Sequence, residues 1–354
     1  MVGPLCDVAG LPRSANGLHY FTLSEWCLLE ILDLRHFAST DLRPLLEEEA
    51  SVWMEILAWD YRSSAEMILR YLDAKILPGY AAIDRGRLLG YCFFVYEGSK
   101  GVVGDLFASA GNHGGPGSAE VEGRLLRHVI ATLQQSPGVR RIEAQLLIHG
   151  TGEASEPFLS QGFRRYPRLF MTLPLPVPRE QQRSEHRPGL WPAKELPEGI
   201  EIRGWSEQDY QPAAGLIASA YRGHIDADIN DQYRSMTGSL RFLNNIIRFP
   251  GCGVFDERSS FVAVHRSTRT TVGLILCSRV RDDTGHVTQV CLLPEFRCRG
   301  IGEHLIAHAA DALSLRGFTL LSLTVTQANG RAVQLYERLG FSTSRVFDAF
   351  VWED

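Results

Sequence analysis

The stretch "PEFRCRGIGEHLIAHAADAL", which begins at Pro294, sets Arg297, Gly300 and Gly302 between a β-rich run, Thr288 to Leu293, and a helical pattern. Pro294 ends the run because it cannot donate to a strand ladder. The two glycines let the backbone turn tightly and come close to a ligand. The first turn of the helix leaves N–H groups unpaired, and its dipole adds partial positive charge. Arg297 and Arg299 add charge at the rim. The chemistry this predicts is anion binding, and a pyrophosphate would fit. A dinucleotide fingerprint needs a further glycine where Leu305 stands, and a P-loop needs Gly-Lys-Ser/Thr, so neither applies. A purely structural strand-to-helix turn is the alternative on these residues alone.

A second motif, "NGRAVQLYERLGF", runs from Asn329 to Phe341, about one strand beyond that helix. Together the two segments resemble the GNAT acetyltransferase superfamily. Its first signature is Gln/Arg-x-x-Gly-x-Gly/Ala, which Arg297, Gly300 and Gly302 match. Its second resembles Asn-x-x-Ala-x-x-Leu-Tyr-x-x-x-Gly-Phe, which Asn329, Ala332, Leu335, Tyr336, Gly340 and Phe341 match. The resemblance covers residues 199–354 well and the first half of the chain in outline.

The resemblance implies acetyl-CoA as the acyl donor and an amine, on a small molecule or a peptide, as the acceptor. It implies that the pantetheine arm runs beside Val290, Cys291 and Leu292. It places the diphosphate on the amides of Cys298, Arg299, Gly300, Ile301 and Gly302, with Arg297 beside them. Asn329 would bond the cofactor arm; a helix N-cap is its other reading. Tyr336 would be the general acid for the departing thiolate. Ala332, Leu335, Tyr336 and Leu339 share one helix face, so a core role is the alternative for Tyr336. The family's usual strand carboxylate is missing from "GHVTQVCLL", leaving His286 as a candidate base that can titrate near neutrality. In "YRGHIDADINDQY", Asp226, Asp228 and Asp231 are candidates to attract a cationic amine. A non-catalytic acyl-CoA sensor is the competing function.

These residues need a frame. After a Pro- and charge-rich stretch at 177–198, read as a linker, the order is strand, two helices, three strands, helix, strand, short helix and closing strand. The helix from Ile301 to Arg316 carries Ile301, Leu305, Ala309, Ala312 and Leu313 on one face. The first half follows the same plan, with one long helical stretch from Thr40 to Asp73 and a helix whose buried face is Val121, Leu125, Val129 and Leu133. The expected fold is α/β: two tandem GNAT-like domains, 1–176 and 199–354, each a mostly antiparallel sheet flanked by helices. In the first half "NHGGPG" sets Gly115 and Gly117 in register with Gly300 and Gly302. Asn112 replaces the arginine, and Pro116 removes an amide a phosphate would need. That half reads as degenerate.

Composition narrows the class. The chain has 354 residues, 45% hydrophobic and 22% charged, with a net charge of −5, so nucleic acid is not an expected partner. No apolar run reaches membrane length, and no signal peptide is read. The seven cysteines form no Cys-x-x-Cys pair, which suits buried thiols in a reducing cytoplasm. No metal set is expected. A monomer or homodimer fits a tandem chain.

Overall fold

The computed structural model describes residues 29–110, 117–176, 195–248 and 253–354. Asn112, Gly115 and Pro116, most of the 177–198 stretch, and Cys6, Cys27 and Cys252 lie outside them.

The first half contains β1 (Glu30–Asp33), α1 (Ser39–Leu57), α2 (Arg62–Asp73), β2 (Gly79–Asp84), β3 (Arg87–Glu97) and β4 (Lys100–Ala108). It continues with α3 (Ser118–Gln135), β5 (Arg141–Gln145), α4 (Ser155–Leu159) and β6 (Arg164–Pro174). The second half contains β7 (Ile200–Gly204), α5 (Tyr210–Ala220), α6 (Ile225–Ile229), α7 (Met236–Arg248), β8 (Val254–Phe255), β9 (Phe261–His265) and β10 (Thr270–Arg281). It closes with β11 (Thr284–Leu292), α8 (Ile301–Leu315), β12 (Leu320–Thr326), α9 (Gly330–Arg338) and β13 (Ser342–Glu353).

The periodic faces are buried as their spacing requires. Val121, Leu125, Val129 and Leu133 of α3 are fully buried, as are Ile301, Leu305, Ala309 and Leu313 of α8. Each such leucine contributes about 1.5–3 kcal/mol by leaving water. The stretch from Thr40 to Asp73 is two helices and not one. Ala58 takes a left-handed φ of 56° and ends α1, and the Asp60 amide donates to the Val280 carbonyl of the other half. That tertiary bond turns the chain where local propensity would let it run on.

Among the described residues thirteen strands form one mixed sheet, along the path β1-β2-β3-β4-β5-β13-β6-β12-β11-β10-β9-β7, with β8 beside β10. The sheet does not break between the halves. β13, the last strand of the chain, lies between β5 and β6, and β6 lies between β13 and β12. Each half thus lends its final strand to the other. The expected division at 177–198 separates two repeats, not two sheets.

The halves also share a detail that makes room for a ligand. β4 pairs in parallel with β5 only from Lys100↔Arg141 to Val103↔Ala144. β11 pairs with β12 only from Thr284↔Leu320 to Val287↔Leu323. Beyond those points the strands part. A bulge sits at each parting, directly after the last paired residue: Gly104 is passed over between Val103 and Asp105, and Thr288 between Val287 and Gln289. The Thr288 hydroxyl closes its bulge by donating to the Leu276 carbonyl at 3.0 Å. A bulge bends its strand and re-aims the residues beyond it.

Candidate active site

Past Val287 the edge of β11 that faced β12 has no strand partner. Val290, Cys291 and Leu292 lie on this free run, and the glycine turn comes directly after. Gly300 has a φ of 82°, which favours glycine, and a Cβ built on it meets nothing within 4 Å. It stands at the N-cap of α8 with no side chain to satisfy the first amides. Those amides therefore have no side-chain cap, as a diphosphate cradle requires. Cys298 shares the left-handed region, with a φ of 59°.

The two arginines of the turn differ. Arg297 donates from Nη2 to the Ala220 carbonyl at the end of α5, and from Nε to the Leu292 carbonyl at 3.3 Å. It ties helix, strand and turn together and so shapes the cradle. Arg299 lies with its guanidinium carbon 5.4 Å from the Phe296 ring centroid.

Asn329 is the N-cap of α9, its Oδ1 accepting from the Ala332 amide at 3.4 Å. Tyr336 is the buried residue of that helix, 7% exposed. Burial raises the pKa of its phenol, and the Asp226 carboxylate and Cys291 thiol raise it further. The phenol thus feels one group on the free run of β11 and one on the loop opposite. A phenol that holds its proton this firmly stays neutral and can donate a hydrogen bond to a thiolate as it forms; it gives up the proton where the buried site raises the thiol's pKa as well. Burial pushes the Cys291 thiol up to about 12. A thiol that stays protonated is a poor nucleophile, so the part of Cys291 that suits the site is its backbone.

Of the three aspartates, the structure brings one to this place. Asp226 accepts the Thr326 hydroxyl from β12 and lies 3.4 Å from Nδ1 of His224. Tyr221 and Tyr233 stack at 4.4 Å beside it, and Tyr221 donates to Oε1 of buried Gln289 at 3.0 Å. Burial raises both phenols, with Asp226 adding to each. Arg168, from the first half, donates from Nη2 to the Thr324 hydroxyl at 3.4 Å, and its charge acts to lower the pKa of both Tyr233 and His286. Tyr221, Tyr233, Gln289, Thr326 and Arg168 were not singled out from sequence. The tyrosines flank the acidic segment, and that aromatic pairing was the available signal.

Asp228 and Asp231 are engaged elsewhere, which corrects the expectation that they attract the acceptor. Asp231 Oδ1 lies 2.7 Å from Nζ of Lys100, which also meets Glu143 at 3.1 Å and Glu97 at 3.2 Å. Burial opposes the charge on Lys100, but Glu143 and Asp231 outweigh it and hold its pKa up. The Asp228 carbonyl accepts from Arg141, and its carboxylate lies 3.7 Å from Arg234. The Asp231 carboxylate and the Asp228 backbone carbonyl fasten the acceptor loop to the first half.

His286 is also corrected. It is 5% exposed, with Nδ1 2.9 Å from the Ser322 hydroxyl. Trp59 packs edge-on at 4.8 Å and Phe170 stacks at 5.9 Å. Burial, helped by Arg168, depresses its pKa to about 3. At neutral pH it is an uncharged packing residue of the seam between the halves, walled off from any base role.

Residues 228–341 match the model of the Acetyltransferase (GNAT) family. The [ribosomal protein bS18]-alanine N-acetyltransferase of Salmonella typhimurium is 36% identical over 64 residues, and that of Escherichia coli K12 33% over the same length. These matches span 18% of this chain and 43% of the relatives' length. The fold of the whole chain is like that of a GCN5-related N-acetyltransferase from Sphaerobacter thermophilus. That likeness has a TM-score of 0.59 at 16% identity and covers 92% of this chain and 95% of that one. It is also like a tandem GNAT protein from the clavulanic acid biosynthesis pathway, with a TM-score of 0.55 at 15% identity, covering 92% and 98%. The residues that match the family model take in the parting of β11 from β12 and the glycine turn.

Proposed function

We propose that the protein is a cytoplasmic N-acetyltransferase that moves an acetyl group from acetyl-CoA to a primary amine in one ternary complex. One observation carries the reading: β11 leaves β12 beside an uncapped glycine turn, and the buried phenol of Tyr336 is near enough for Asp226 and Cys291 to raise its pKa. The amides from Cys298 to Gly302 hold the diphosphate, and the free backbone of Val290 to Leu292 holds the arm. Asn329 steadies the arm from the other side. The amine enters beside the stacked Tyr221 and Tyr233, drawn by Asp226.

The amine arrives charged and loses a proton before it attacks. Asp226 is the carboxylate placed to hold the ammonium and take that proton. The nitrogen then attacks the thioester carbonyl, the C–N bond forms and the C–S bond breaks. Tyr336 gives its proton to the departing sulfur. Holding amine and thioester together supplies much of the acceleration, about 7–11 kcal/mol in well-aligned cases. The curated relatives act on an alanine of a ribosomal protein, which makes an alanyl peptide the first acceptor to try.

The test is release of free coenzyme A from acetyl-CoA in the presence of alanyl peptides and small amines. Thiol release that depends on the amine, with an acetylated product by mass spectrometry, supports transfer. Tight acetyl-CoA binding with no release across the panel would make the protein a sensor instead.

A further inference from the structure

The first half keeps the parting of strands but fills it differently. Phe107 stands where Cys291 stands, each two residues beyond the post-bulge position, Asp105 or Gln289. Between this end of β4, the first turns of α3 and the segment after β5 lies a cavity of about 320 Å³. Val52, Phe107 and Ile148 form its apolar wall, and Glu122, His149 and Glu153 its polar side. Among the described residues no lysine or arginine lines it.

His149 decides what can bind. Its side chain is 9% exposed, with Nε2 3.2 Å from Oε1 of Glu122. A ring nitrogen facing a carboxylate carries the hydrogen, and in that tautomer Nδ1 presents a lone pair. That Nδ1 is buried with no hydrogen-bond partner. Leaving such an atom unmet is costly, so the site calls for a donor. The carboxylates are acceptors too. Glu153 is already met by the Gly150 amide and lies 3.8 Å from Arg345, which leaves Glu122 as the main charge.

We infer that this cavity binds an organic ammonium ion with a compact apolar body, its N–H groups reaching Nδ1 of His149 and the carboxylate of Glu122. An acyl-CoA is the wrong guest. Ser118 and Ala119, at the start of α3, also line the cavity and offer amides, but the phosphates of that guest would meet two carboxylates there, with no lysine or arginine among the described lining residues. The helix-borne phenol of the second half is replaced here by Phe158. The inference is independent of the acetyl-transfer reading, because it concerns residues of the other half.

The experiment titrates the full-length protein with benzylamine by calorimetry, beside benzyl alcohol as the uncharged match and coenzyme A as the rival. Hydrogen exchange then locates the binding. Benzylamine is expected to protect residues 118–126 and 146–149. The alcohol, and the Glu122→Gln variant, should each bind about 10-fold or more weakly, the scale of one charge-assisted hydrogen bond. Asp226→Asn, in the other half, should leave this event unchanged. Should Glu122→Gln fail to fold, His149→Phe tests the same contact. The inference is overturned by absence of benzylamine binding, by equal affinity for the alcohol, by protection confined to residues 221–233, or by coenzyme A protecting 118–126. None of those results touches coenzyme A release by the second half.

Discussion

Phe158 and Tyr336 occupy the same place in the two halves. Phe163 comes after one and Phe341 after the other at the same interval, each next to a glycine. The ring centroids lie 5.1 Å apart at 69° in the first half and 5.9 Å at 58° in the second. Packing at this place therefore accepts a phenyl ring, and the hydroxyl is the difference. Tyr336→Phe should fold normally and bind acetyl-CoA as before, while kcat falls by about 10²-fold, the lower range for a lost general acid. An unchanged kcat would reduce Tyr336 to packing.

Gly302 gives a cleaner probe of the cradle than Gly300, whose φ would strain any side chain. A Cβ at 302 would meet Leu292 Cδ1 at 3.5 Å and Leu335 Cδ2 at 3.7 Å, ordinary contacts. Alanine there is tolerated by the protein itself, and helix propensity favours it by up to about 1 kcal/mol. Gly302→Ala should keep or raise Tm and leave acetyl-CoA affinity unchanged, because the amide remains and the family signature admits alanine there. Calorimetry with the intact variant checks this; a loss of about 10-fold or more, the scale of a lost charge-assisted hydrogen bond, would contradict the reading that the backbone amide of residue 302 and not its missing side chain serves the diphosphate.

The depressed pKa of His286, about 3, has a consequence for acid stability. An unfolded chain protonates histidine near pH ~6.5. Between those values the unfolded state binds more protons, so stability rises with pH there. The contribution of His286 is full above pH ~6.5 and lost as pH falls towards 3. His286→Leu should flatten that part of the stability curve, because Ser322 still donates to the Gly285 carbonyl at 3.2 Å. The pH profile of kcat/KM should not move. A displaced alkaline or acid limb would restore His286 as a proton carrier.

Strand exchange predicts that residues 195–354 do not fold alone as a monomer. Without β6, both β12 and β13 lose a neighbour, and the Thr326↔Arg168 to Leu320↔Pro174 ladder disappears. Circular dichroism of that fragment should show loss of cooperative unfolding, recovered on adding residues 1–176. A stable, cooperatively melting lone fragment would contradict it.

Local signals carried much of this architecture. The apolar faces of α3 and α8 are written at helical spacing within single segments. The glycine turn and the tyrosine helix are likewise short and self-contained. What escaped the sequence depends on distant partners. His286 reads as a titratable residue near a strand end until Trp59 and Phe170 of the other half enclose it. Asp231 reads as an acceptor magnet until Lys100, 131 positions earlier, pairs with it. The break between α1 and α2 rests on a bond to Val280, and the exchange of β6 and β13 rests on pairing across the whole chain. No window of local pattern contains those contacts.

Amide hydrogen exchange of the full-length protein, with and without acetyl-CoA, decides whether the second-half turn holds the donor. Slowed exchange is expected from Val290 to Leu292 and from Cys298 to Gly302, with residues 118–126 unchanged. Protection of 118–126 alone, or no protection on either turn, would overturn the assignment.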